Sequence, residues 1–160
     1  MRGVSDAAGF DIRPDDLSGE ATRDLLRLHL QAARANSPPG SVFALDLSGL
    51  KRPDILVWSA WRGDRVAGIG ALRIDPGLYG EVKSMRTHPD FLRCGIAGMI
   101  LARIVAEARA RGLARLSLET GTGPAFEPAL ALYRRHGFAD GESFAGYPDT
   151  PFSRFLHLPL

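Results

Sequence analysis

The sequence predicts a mixed α/β (α+β) fold, one sheet with helices packed against it. Two observations carry that prediction. Runs rich in Ile, Val, Leu and Trp, separated by Gly-Asp and Pro-Gly turn signals, fill residues 54–87. Directly after them the apolar period changes from strand-like to helical, with Ile96, Ile100 and Ile104 recurring and Leu101, Val105 and Ala108 beside them.

Taken in order, residues 11–13 form a short apolar-centred run bounded by Pro14, a candidate first strand. Ser18 is a candidate cap for a helix through Leu25, Leu26, Leu28 and Leu30 to about Ala35. Residues 36–40 (Asn, Ser, Pro, Pro, Gly) break the chain. Residues 54–62 and 65–74 are two strands joined at Gly63-Asp64, a hairpin. Pro76-Gly77 turns the chain into a third run at 81–87. The helix of 95–110 ends in Arg109, Arg111 and Gly112, basic residues in the last turn and a glycine after it. Residues 115–120 alternate as a strand, 124–136 are helical with Pro128 in the early turns, and Phe138 and 152–158 supply two last strands. No repeat or low-complexity block interrupts this order.

Length and composition narrow the function. A chain of 160 residues with 45% apolar and 24% charged residues suits one globular domain over 1–160 that needs neither metal nor disulfide. The net charge of +2 comes from dispersed arginines interleaved with acids, with Lys51 and Lys83 the lysines, and no basic run points to nucleic acid. Cys94 is the one cysteine, so no intramolecular disulfide forms, and a free thiol suits a reducing, cytoplasmic setting. Residues 1–10 lack the apolar segment of a signal peptide, and the longest apolar run, 96–102, is too short to cross a membrane.

The chemistry concentrates at residues 85–98, Met-Arg-Thr-His-Pro-Asp-Phe-Leu-Arg-Cys-Gly-Ile-Ala-Gly. A strand ends, a turn follows, and a glycine opens a long helix. Unpaired backbone N–H groups and the positive end of the helix dipole converge there, which suits phosphate or pyrophosphate. Gly95 would let backbone approach a ligand, and Ala97 and Gly98 keep the first turn open. The same glycines would also serve close helix–sheet packing. Neither a Gly-x-x-x-x-Gly-Lys-Ser/Thr loop nor a Gly-x-Gly-x-x-Gly after the first strand occurs.

These residues, with Ala-Leu-Ala-Leu-Tyr-Arg-Arg-His-Gly-Phe at 129–138 and the element order along nearly the whole chain, resemble the GNAT superfamily of N-acetyltransferases. Lys83 to Asp90, Leu116 to Gly121 and Pro124 to Ala129 are similar to a bacterial subgroup of small GNAT enzymes. The resemblance implies a mixed, mostly antiparallel central sheet flanked by helices, and a single acyl-CoA N-acyltransferase domain. It implies acetyl-CoA as co-substrate, held by the backbone of Met85, Arg86 and Thr87 at its acetyl and pantetheine end. The turn Arg93, Cys94, Gly95, Ile96, Ala97 and Gly98 would take the pyrophosphate, and Tyr133 would stand at the thioester sulfur. Two positions depart from the pattern: Leu92 stands where the phosphate turn usually begins with Arg or Gln, and Phe126 where Asn is common.

A phenol near pKa ~10 can protonate a departing thiolate, whose own value is near ~8.5. The amine nucleophile, with a lysine-like pKa near ~10.4, needs a base. Glu81, on the strand leading to the acetyl site, is the preferred candidate, and Glu119 at the end of the next strand is the second. Each could also be a solvated or arginine-paired carboxylate, and Tyr133 a half-buried aromatic. His88 reads as a turn residue. His29, His136 and His157 lie far apart, and no His/Cys/Asp cluster has metal-ligand spacing. The expected reaction is direct acetyl transfer in a ternary complex to a small-molecule or peptide amine. An acyl-CoA-binding regulatory module without turnover is the alternative, and a nucleotide binder at the same helix terminus is a third reading. Acceptor specificity is expected from residues 18–50 and 140–151, with Phe144, Tyr147 and Phe152 as a candidate wall and Arg73 or Arg86 as candidates for an acidic acceptor. Neither nucleic acid nor membrane is an expected partner. A homodimer is compatible with the sequence.

Overall fold

The computed structural model describes residues 4, 5 and 9–160. In chain order its elements are β1 (Val4–Ser5), β2 (Asp11–Pro14), α1 (Glu20–Asn36), α2 (Leu47–Leu50), β3 (Ile55–Arg62), β4 (Arg65–Ile74), β5 (Tyr79–Thr87), α3 (Ile96–Ala110), β6 (Arg115–Thr120), α4 (Glu127–Arg135), β7 (Ala139–Asp140) and β8 (Arg154–Pro159). Single 3₁₀ turns at Pro89–Phe91 and Pro124–Phe126 precede α3 and α4. The strands form one sheet in the order β1-β2-β3-β4-β5-β6-β8-β7. Every neighbouring pair is antiparallel except β5 with β6. The predicted mixed, mostly antiparallel sheet with flanking helices is therefore what the chain builds.

Each face of the sheet carries its own apolar cluster. On one side α3 contributes Ile96, Ile100, Leu101, Ile104, Val105 and Ala108 to a core with Trp58, Leu72, Leu116 and Leu118. On the other, Leu25 and Leu26 of α1 and Leu50 of α2 pack with Val57, Ile69 and Ala71. β4 is buried on both faces, which explains its continuous apolar run. Its glycines have a packing reason. A Cβ at Gly68 would lie 2.6 Å from Ile96 Cγ2, and one at Gly70 2.5 Å from Ile100 Cγ2. α3 therefore lies directly on the β4 backbone. Ile100 and Ile104 are fully buried there, worth roughly 1.5–3 kcal/mol each. That anchoring holds the N-terminus of α3 still.

Most predicted elements fall within a residue or two of their expected bounds, and the hairpin differs from its expected bounds only in starting at Ile55 instead of 54. The cap of α1 does not. Gly19 holds the N-cap position without a side-chain bond, because Ser18 Oγ donates to Asp16 Oδ1 at 2.6 Å. Asp15 and Asp16 organise this loop, taking the amides of Leu17 and Ser18. β8 starts at Arg154, not at 152, and Phe138 lies in the core beneath Tyr133 instead of in a strand. β1 and α2 were not expected. The expectation about a leader fell on 1–10, of which 1–3 and 6–8 lie outside the described residues. No described helix is long and apolar enough to cross a membrane.

Candidate active site at the fork between β5 and β6

β5 and β6 pair in parallel only at Tyr79↔Arg115, Gly80↔Leu116 and Glu81↔Ser117. Both strands then continue, to Thr87 and Thr120, without pairing to each other. They diverge into a fork, and a cavity of about 590 Å³ occupies it.

A bulge decides which side chains face that cavity. β4 pairs Ile69 with Arg86 and Ala71 with Lys83, so β5 carries one extra residue there, with Ser84 at φ 58°. The extra residue shifts the alternation. Glu81, Lys83 and Arg86 share the face that carries α1, whereas Met85 packs toward α3. On β6, Leu116 and Leu118 point into the α3-side core, which leaves Ser117 and Glu119 on the α1 side with Glu81.

The turn after β5 has the expected form. His88 Nδ1 accepts from Asp90 N at 3.1 Å, a turn role. Arg93 (φ 62°) and Gly95 (φ 78°) take the left-handed conformation, and Gly95 occupies the N-cap of α3 with no side chain closing it. The first amides of α3 thus face the cavity as free donors, the geometry that favours an anion. Met85, Arg86, Thr87, Arg93, Gly95, Ile96, Ala97 and Gly98 all line the cavity, as do Leu92 and Phe126. Cys94 does not. It is exposed, with its Sγ 3.6 Å from the Leu92 carbonyl. Ser84 Oγ is buried in the bulge without a partner, a polar atom in the wall available to a ligand. An elongated ligand with a phosphate at one end and amide groups along its arm fits this set: amides at the helix start, strand-edge backbone and an orphaned hydroxyl.

The catalytic candidates differ in their surroundings. Glu81 is 2% exposed and fully engaged. Its Oε1 accepts from Arg73 Nε and Nη2 at 3.1 and 3.0 Å, and its Oε2 accepts from Lys83 Nζ at 3.0 Å and Tyr147 Oη at 2.6 Å. Glu119 has no ion pair among the described residues and lines the cavity. Burial pushes its carboxyl up to about 7; Lys83 opposes the shift and Glu81 adds to it. Tyr133 lines the opposite wall from α4, 6% exposed and edge-on to Phe138. Burial raises its phenol, and nearby Arg86 partly offsets that. It bears its proton at every working pH.

The α1 side supplies residues that local sequence reasoning could not place. His29 Nδ1 accepts from Arg86 Nε at 3.1 Å, and burial followed by the Arg86 charge lowers its pKa to about 4. Tyr147, on the loop before β8, contacts Phe43 and Phe144 edge-on and reaches Lys83. No described group of three or more His, Cys, Asp or Glu could hold a metal ion.

A model of the acetyltransferase (GNAT) family matches residues 21–138. The chain belongs to that family. It is 48% identical over 151 residues to the uncharacterized N-acetyltransferase YedL of Escherichia coli, covering 94% of this chain and 95% of that one. Among solved structures, one from Klebsiella pneumoniae, described as an acyl-CoA N-acyltransferase, superposes with a TM-score of 0.80 at 27% identity, over 96% of this chain and 99% of that one. A Bacillus subtilis acetyltransferase solved in complex with CoA shares the fold, with a TM-score of 0.70 at 18% identity over 94% and 99%. As a GNAT member the chain is an acetyl-CoA-dependent acetyltransferase, with acetyl-CoA as its co-substrate.

Proposed function

We propose that the enzyme transfers the acetyl group of acetyl-CoA directly to the primary amine of a small molecule or peptide, both substrates being bound together. One observation carries this reading. The fork places an unpaired carboxyl, Glu119, and a proton-bearing phenol, Tyr133, on opposite walls of one cavity that opens at a helix N-terminus.

The roles follow from the surroundings. Amides at Gly95, Ile96, Ala97 and Gly98 hold the pyrophosphate, assisted by Arg93. Leu92 contributes no charge, so backbone supplies the binding. The edge of β5 at Met85, Arg86 and Thr87 holds the pantetheine arm, and Cys94 shapes the turn. The amine nitrogen attacks the thioester carbonyl, and its proton passes to Glu119, whose value near 7 suits a base at neutral pH. The C–S bond breaks, and the leaving sulfur takes the Tyr133 proton, which solvent later restores. Glu81 acts one step back. Its two cations and Tyr147 fix the wall beside Glu119, and its own charge raises the cost of a second negative charge there. One domain carries both substrates, and the lone free thiol suits a cytoplasmic enzyme.

Thermal unfolding with saturating acetyl-CoA, CoA, NAD and ATP tests the co-substrate. A ligand at a hundred times its Kd stabilises by ~2.7 kcal/mol, a rise of roughly 5–10 °C for this size. Acetyl-CoA and CoA should give that rise while NAD and ATP give none. Release of free CoA with an amine panel then separates turnover from the non-catalytic alternative. A binder without turnover would keep the shift and release no CoA above hydrolysis.

A further inference from the structure

Among the described residues the cavity contains one half-buried cation that no carboxylate neutralises. Of its lining residues, Lys83 is paired with Glu81, His29 is neutral, and Arg93 and Arg135 are exposed. Arg86 has neither an ion pair nor any hydrogen bond among the described residues beyond Nε to His29 Nδ1. A guanidinium carries five N–H donors, and this arrangement spends one of them. Its two terminal nitrogens are left for a ligand. The surroundings fix its direction. The Ser84 bulge turns Arg86 onto the α1 side with Glu81, Lys83 and Glu119, and His29 holds it from α1. A neutral imidazole orients the guanidinium without cancelling its charge.

We propose that Arg86 binds a carboxylate of the acceptor, so that the enzyme's substrates are amino carboxylates, with the amine directed to Glu119 and the carboxylate held in a two-pronged contact. The inference rests on the transferase reading above and adds the class of acceptor. A forked guanidinium matches a planar carboxylate bidentately, and a partly desolvated site strengthens the contact. Arg86 also lies close enough to Tyr133 for its charge to act on the phenol. Arg86, Glu119 and Tyr133 line one cavity, so the carboxylate site and the reacting centre share it. His29 is a positioning residue: it touches Arg86, not substrate.

The test compares free amino acids of graded amine–carboxylate spacing with their carboxamides and decarboxylated amines, using release of CoA. The acids should exceed the matched amides by about 10²-fold in kcat/KM, because an amide leaves the half-buried guanidinium without a charged partner. In Arg86→Gln that preference should collapse to within a few-fold, through KM for the acid, and Arg86→Lys should restore part of it. His29→Leu should weaken the preference less than Arg86→Gln does. A second readout needs no turnover: in the presence of CoA, N-acetyl amino acids should raise Tm and their amides should not, and Arg86→Gln should abolish the difference. Equal rates for acids and amides would overturn the inference. So would an Arg86→Gln enzyme slowed alike on acids and amines, which would assign the guanidinium to the reaction itself, or a preference for phosphate-bearing amines. If acetyl-CoA fails to stabilise the protein, the transferase reading falls first. If it stabilises and amines react without regard to carboxylate, only the present inference falls.

Discussion

The two ends of the cavity are made in different ways. The end that faces the helix dipole is one continuous segment: the last turn of β5, the 3₁₀ turn at Pro89–Phe91, Gly95 and the first turn of α3. The end that faces α1 is assembled from His29, Phe43, Lys83, Arg86, Glu119 and Phe152, drawn from five separate stretches of chain. On the proposed reading the first end binds through backbone amides, which would leave room for side chains such as Leu92 and Phe126. The second depends on particular side chains. Substitutions should therefore act strongly and selectively at the α1 end and weakly at the dipole end.

The largest expected effect is at Glu119. Glu119→Gln should lower kcat/KM by about 10²–10³, within the usual range for losing a positioned base. In the native enzyme kcat/KM should rise with pH through about 7, because only the ionised carboxyl accepts the proton. The variant should lack that limb. Stability should move the other way. Glu119 ordinarily titrates near 4.5 and in the fold near 7, so the folded state holds its proton more tightly. Its contribution to stability therefore falls as pH rises from about 4.5 to 7 and stays low above. Denaturant titration should find the Gln variant equal to wild type at pH 4 and more stable at pH 8.

Glu81→Gln separates the two carboxylates. Removing its charge leaves Lys83 without an anionic partner while Arg73 keeps Asp75, a loss of about 3 kcal/mol of stability. Its activity should keep the limb near pH 7. A variant in which the limb disappears from Glu81→Gln and persists in Glu119→Gln would make Glu81 the base, as its place on β5 first suggested. Tyr133→Phe comes next, with a loss of about 10–100-fold in kcat. This is the low end for acid catalysis, because burial makes the phenol a weaker acid. Affinity for acetyl-CoA, read by thermal shift, should change little by comparison.

The same contrast explains what the sequence disclosed. Helical period, turn residues and strand runs are local, and the β3–β4 hairpin, α3 and the glycine at its start were legible for that reason. Glu81 and Glu119 were both visible as strand-end acids, but their order of preference rested on chain position. The order proposed here rests on the partners of Glu81, which the sequence does not place: Arg73 and Lys83 lie on β4 and β5, and Tyr147 comes from the far end of the chain. The bulge at Ser84 had no Gly or Pro to announce it, so the face taken by Arg86 could not be counted from period two. Ser18 failed as a cap because Asp16 competes for it, an event within the loop that a cap pattern does not encode.

The smallest expected effect tests the dipole end. Gly95 sits at φ 78°, and a Cβ there would meet nothing within 4 Å, so only backbone strain opposes Gly95→Ala. A non-glycine residue in this region costs of order 1 kcal/mol. If the amides of α3 hold the pyrophosphate as a set, the strain should shift them slightly and raise KM for acetyl-CoA about threefold to tenfold, with kcat and acceptor preference nearly intact. A loss confined to stability, with KM for acetyl-CoA unmoved, would detach the phosphate from this turn. It would also make the two ends of the cavity alike in the one respect that now distinguishes them.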